Sequence, residues 1–138
     1  MIKSYTDVSQ TLATNENVVF EIDEIKTGCT VVHSPNSTTF TFVKPGFYYV
    51  VFNATVSATA AATEAISAQF YDGTRSITGT TTSTLSADAT DVASITIPTI
   101  VQVKPSCQSI DNTVNLVVKN VGIEAEYSNV SLTITKLC

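Results

Sequence analysis

The chain has 138 residues, with 14% charged against 43% hydrophobic and 7 basic against 12 acidic side chains, for a net charge of -5. A soluble domain usually has about a quarter of its residues charged, so Ser, Thr and Asn carry much of the polar surface here. The basic residues are scattered singly, which excludes a phosphate-binding patch and hence nucleic acid, and no run approaches the roughly 18 apolar residues of a membrane span.

This length suits one domain, residues 1–138, burying roughly two-thirds of the surface of its unfolded chain. Residues 1–17 are mostly polar and read as an N-terminal arm or an irregular first strand. They lack a basic segment followed by an apolar run, so no signal peptide is visible and synthesis in the cytoplasm is expected. Residues 18–25 set Val18, Phe20 and Ile22 against Val19, Glu21 and Asp23, which marks a strand with one wet face. Thr27-Gly28 turns the chain, and residues 29–33 form a short strand ended by Ser34-Pro35-Asn36.

Phe40 and Phe42 share one face of the next run, opposite Thr39, Thr41 and Val43. Lys44-Pro45-Gly46 then makes a tight turn, because proline donates nothing to a ladder and glycine tolerates positive φ. In residues 47–56 successive side chains alternate faces. Tyr48, Val50 and Phe52, followed by Ala54 and Val56, form a wholly apolar core side. Phe47, Tyr49 and Val51 lead the other side, which becomes polar at Asn53. A strand with one wet face alternates cleanly, so these three residues need a second cover. A neighbouring subunit is the economical one, and the chain's own loops are the alternative.

Residues 57–63 read as a strand end or a loop of small side chains. Asp72-Gly73 is the strongest hairpin signal, with residues 66–71 and 75–80 as its arms. Residues 81–90 are low in complexity and read as an exposed loop. Residues 91–103 restore alternation, with Pro98 marking a bulge or an edge strand. Val114, Leu116 and Val118 alternate with Asn115 and Lys119. Gly122 turns, and Val130, Leu132 and Ile134 point inward in the last strand. Nine or ten strands without helical periodicity describe an all-β sandwich.

No chemistry is legible in this pattern. The lone His33 has no nucleophile motif beside it and reads as a surface or turn histidine. Glu21, Asp23 and Glu24 read as a solvated face rather than a calcium site. Cys29, Cys107 and Cys138 show no metal spacing and read as buried thiols, with one disulfide and a spare thiol as the alternative. Cys138 is the one to watch for reactivity or a link between subunits. Three glycosylation triplets, at Asn36, Asn53 and Asn129, are discounted in so Ser/Thr-rich a chain. Tyr48, Tyr49 and Tyr71 could line a carbohydrate groove, but packing is their expected use. No catalytic, metal-binding or cofactor-binding residue is expected, and no enzyme.

Two stretches carry a resemblance: KPGFYYVVFNATV, residues 44–56, and YSNVSLTITKL, residues 127–137. The first resembles the Gly-x-Tyr strand of the tumour necrosis factor and complement globular-head superfamily, and the second its last strand. The resemblance implies a ten-stranded antiparallel jelly-roll sandwich that forms a compact homotrimer, inner sheets meeting around a threefold axis. It places Tyr48 inside the sandwich and Phe47, Tyr49 and Val51 on the trimer seam. The whole chain looks most like the small jelly-roll proteins among tailed-phage structural genes and the heads of bacterial spore-surface glycoproteins. The expected function is a non-enzymatic bacteriophage virion protein, either decorating the capsid or forming a fibre head that contacts the host. The alternative is a carbohydrate- or peptide-binding module on a bacterial or spore surface. The partners so implied are further copies of the chain, a capsid or other virion protein, and a host-surface glycan.

Overall fold

A computed structural model describes residues 1–59, 64–85, 91–105, 107 and 113–138. These residues contain no helix and eleven strands: β1 (Ile2–Thr6), β2 (Gln10–Leu12), β3 (Ile22–Lys26), β4 (Val31–Val32), β5 (Phe40–Phe42), β6 (Gly46–Ala58), β7 (Ala65–Asp72), β8 (Arg75–Leu85), β9 (Ala93–Val103), β10 (Val114–Asn120) and β11 (Ala125–Lys136). One antiparallel sheet has the order β3-β1-β11-β6-β9, with β2 also paired to β11, and the other has β4-β5-β10-β7-β8. From β9 onward consecutive strands alternate between the sheets, as the Greek-key connections of a jelly roll require.

The long strand β6 lies between β11 and β9 and pairs with both over most of its length. Its inward residues Tyr48, Val50 and Phe52 are fully buried, and the second sheet answers with Phe40, Phe42, Phe70 and Leu116. An aromatic chain crosses the core. Phe40 meets Phe20 edge-on at 5.1 Å, Phe20 meets Phe52 at 6.4 Å, and Phe52 meets Phe70 at 6.5 Å. Edge-to-face pairs at such spacings add to area burial by matching the ring's positive edge to a negative face.

Gly46 is required where it stands. Its φ is +142°, and a Cβ there would run into the carbonyl of Cys138. The close approach lets the end of the chain clip onto the start of β6. The Phe47 amide donates to the Cys138 carbonyl at 3.2 Å, and the Leu137 amide to the Phe47 carbonyl at 2.8 Å. At the β7–β8 hairpin Asp72 pairs with Arg75 around Gly73, whose φ is +60°. Pro98 sits on the sheet edge in unbroken register with Val51, the edge position rather than the bulge.

Several expectations are corrected. Residues 1–17, expected as an arm or an irregular first strand, begin as strands of the first sheet and then cross to the second: β1 pairs with both β11 and β3, β2 pairs with β11, and Ile2 is buried, while Asn15 and Asn17 bond to β10. Residues 18–25 are not one strand. Val18 bonds to the Val118 carbonyl and Phe20 bridges to Ser37, whereas β3 pairs with β1 in the other sheet, which leaves Ile22 exposed. The change of sheet resets which residues face inward. Strand β8 continues through Leu85, so residues 81–85 are ladder and not loop. Its Ser and Thr side chains suit a strand with one wet face, and low complexity hid that. Residues 86–90 and 60–63 of the expected loops lie outside the described residues.

A buried polar node closes the opposite end of β10 and β11. The Tyr127 hydroxyl donates to Asn120 Oδ1 at 2.9 Å, and Asn120 Nδ2 donates to the carbonyls of Leu12 at 3.0 Å and Ile123 at 2.9 Å. Burial raises the Tyr127 phenol above its ordinary pKa. Below about pH 10 the phenol is protonated in both the folded and unfolded chain. Above that, the unfolded chain ionises first and folding loses stability. Tyr127→Phe should cost about 1–2 kcal/mol at neutral pH, since it orphans the amide oxygen. It should also flatten the stability loss above about pH 10. Urea midpoints on either side of that pH check both. Tyr48, also raised by burial, stays in the variant, so some alkaline slope remains.

Candidate interaction face

The outward face of the first sheet carries an apolar patch built by register. Tyr49 has Ile100 on one side and Thr135 on the other, while Val51 has Pro98 and Thr133. Phe47 lies beside Gln102. Phe47 is 42% exposed, Tyr49 43% and Ile100 59%, while Val51 is half-buried. The hydroxyls of Thr133 and Thr135 on β11 flank the patch, and further along β6 it ends at Asn53, which accepts a hydrogen bond from Thr96 at 2.8 Å. A ribbon of contiguous apolar side chains with a polar border is the usual mark of a contact surface. Sequence reasoning missed Pro98 and Ile100, because only the β6–β9 register brings them beside Tyr49 and Val51.

Ile100 also belongs to an apolar notch of about 160 Å³ on the adjacent edge of the sandwich. Ile77, Val101 and Val114 complete its walls, and an exposed ion pair between Arg75 and Asp72, at 3.0 Å, marks its rim. The patch and the notch are therefore continuous.

His33 is not a surface or turn residue. It is buried, its ring is stacked on Phe40 at 4.0 Å, and it meets Phe20 edge-on. Its Nε2 lies 3.1 Å from the Ser37 carbonyl, which only accepts, so this nitrogen donates. Its Nδ1 lies 2.6 Å from Asp23 Oδ1, the oxygen that also accepts from the buried Ser4 hydroxyl. The carboxylate thus stands between hydroxyl and imidazole. A nucleophile relay needs the imidazole next to the hydroxyl, so this trio ties β1, β3 and the segment just after β4 together instead. Asp23 is accordingly not part of a solvated face. Glu24 pairs with Lys3 at 2.6 Å, and no cluster able to hold a metal occurs among the described residues.

The three tyrosines do not converge. Tyr48 is in the core with its hydroxyl donating to the Lys44 carbonyl at 2.6 Å, Tyr49 faces out from the first sheet, and Tyr71 lies on the second sheet with Lys119 Nζ 4.6 Å from its ring centre. The cysteines correct another expectation: Cys29, Cys107 and Cys138 are all free and exposed. Each sits near a turn or a terminus rather than on an inward strand position. Lys44 Nζ approaches the Cys29 sulfur to 3.4 Å. No described helix is long and apolar enough to cross a membrane.

No protein-family model and no curated protein sequence matches the chain. Solved structures do match its fold. Eiger TNF from S. frugiperda aligns with a TM-score of 0.70 at 9% identity, covering 100% of this chain and 92% of that one. Murine APRIL aligns with a TM-score of 0.63 at 11% identity, covering 99% and 100%. The PRD1 vertex protein P5 aligns with a TM-score of 0.56 at 12% identity, covering 99% and 96%. The fold is therefore the tumour-necrosis-factor-like jelly roll, which all three of these structures share.

Proposed function

We propose that the chain is a non-enzymatic bacteriophage virion protein that works as a homotrimer, with Phe47, Tyr49 and Val51 on the seam between copies. The observation that carries this reading is the open patch on the first sheet, apolar where the rest of that face is hydroxyl-rich. In a threefold ring the outer row of one copy would seat against the adjoining edge notch of the next, a heterologous contact, and a heterologous contact that closes makes a ring. Apolar burial at about 25 cal/mol per Å², less the cost of association, drives the assembly. The weakly charged surface suits close packing, and a vertex protein of the same fold supports a place on the particle, as a capsid decoration or as a head that meets the host. Mass spectrometry of purified particles tests the location: the reading expects the chain in stoichiometric amounts on washed virions. Its absence from them, with the free protein still assembled, removes the virion role and leaves a surface-binding module.

A further inference from the structure

A second cavity, of about 360 Å³, opens on the outward face of the first sheet around the end of β1. Lys3, Tyr5, Asp7, Glu24, Asn129 and Ser131 are among its lining residues. Three local features build it. Strand β1 ends at Thr6, which leaves Asp7 exposed just beyond the ladder. Strand β11 slips register between Ser128 and Ser131, and Asn129, with φ at +50°, is the extra residue pushed outward. Glu24 on β3 reaches back to Lys3 at 2.6 Å and closes the far wall. Tyr5, directly opposite Ser131 in the β1–β11 register, presents a half-buried ring between them.

The chemistry of this lining is selective. Lys3 is neutralised by Glu24, so Asp7 is left as the unbalanced charge and the cavity disfavours phosphate, sulfate or sialic acid. No cation-holding cluster occurs there among the described residues. What remains is an aromatic ring flanked by a carboxylate, an amide and a hydroxyl. A pyranose matches that set: its C–H face packs on an aromatic ring, and its hydroxyls both donate and accept in the plane of the flanking groups. The volume lies within the roughly 300–1,000 Å³ of small-molecule sites, enough for a mono- or disaccharide.

We propose that this cavity binds a neutral pyranose sugar, one site per protomer. The inference goes beyond the assembly reading and does not need it, because the whole cavity belongs to a single chain. It lies level with Asn53, four residues and so about 14 Å along β6 from Tyr49.

The test is an array of neutral and sialylated glycans probed with the full chain, followed by calorimetry with the strongest neutral hit. Tyr5→Ala and Asp7→Ala are titrated beside the parent protein. Reproducible neutral hits, weakened at least about tenfold by each variant (about 1.4 kcal/mol), support the site. Asp7 is exposed and outside the strands, so its variant remains informative if Tyr5→Ala does not fold. No neutral hit, binding confined to acidic glycans, or an affinity unchanged by Asp7→Ala overturns it. The native mass of the same samples reads assembly separately, so the two proposals fail independently.

Discussion

Tyr49→Asp is expected to leave the protein folded but monomeric, with a native mass near 14.7 kDa. Tyr49 stands in the middle of the patch between Ile100 and Thr135 and points away from the sandwich core. Inside one protomer the substitution therefore disturbs little, and the sheet signature in circular dichroism should persist. Across a seam it places an unpaired carboxylate in an apolar contact. Central interface positions of this kind cost about 2 kcal/mol or more when disrupted, and a buried unpaired charge adds several more. Dissociation at least about a hundredfold easier follows. Phe47→Asp should behave in the same way. Val43→Asp is the control, because Val43 is also exposed yet lies off the β6–β9 patch. A folded, assembled Tyr49→Asp protein at micromolar concentration would move the contact elsewhere.

Phe20→Ala is expected to have the largest effect on stability of any single truncation. Phe20 lies outside the named strands but is fully buried, and it touches Phe40, Phe52 and His33 from one position. Removing its ring opens a cavity between the two sheets that rigid ladders on either side cannot close. Such changes cost about 3–5 kcal/mol, and for a chain of this size that lowers Tm by roughly 10 °C or more. Phe47→Ala, the same chemical change on the outward face, should change the stability of the dissociated protomer by no more than about 0.5 kcal/mol. Denaturant titration of both variants, with the second measured at a concentration where assembly is absent, separates core from surface.

The alternation in residues 47–56 was enough to place Tyr48, Val50 and Phe52 inside, because a period of two admits only two registers and one of them buries Asn53. The Asp72-Gly73 turn and the inward set of Val130, Leu132 and Ile134 were legible for the same reason: each is a local signal. What eluded the sequence depends on distant partners. His33 looks like a turn residue until β3 delivers Asp23 and the Phe40 ring to it. Ile22 fits an inward pattern until the chain changes sheets after Phe20. Strand β8 is disguised by threonines that fit a wet ladder as well as a loop. The candidate face was half visible: β6 announced an apolar outer row, but Pro98 and Ile100 join it only through the pairing of β6 with β9. The sugar-binding proposal could not have come from spacing, since β1, β3 and the bulge in β11 meet only in the folded sheet.

The most direct measurement is the mass of the wild-type protein by light scattering at micromolar concentration. Three times the 14.7 kDa protomer mass, lost in Tyr49→Asp, is the result expected of a sheet whose outer row is completed by its neighbours. A wild-type protein that stays at the protomer mass would mean that Phe47, Tyr49 and Ile100 rest in water, and the seam would have to be abandoned.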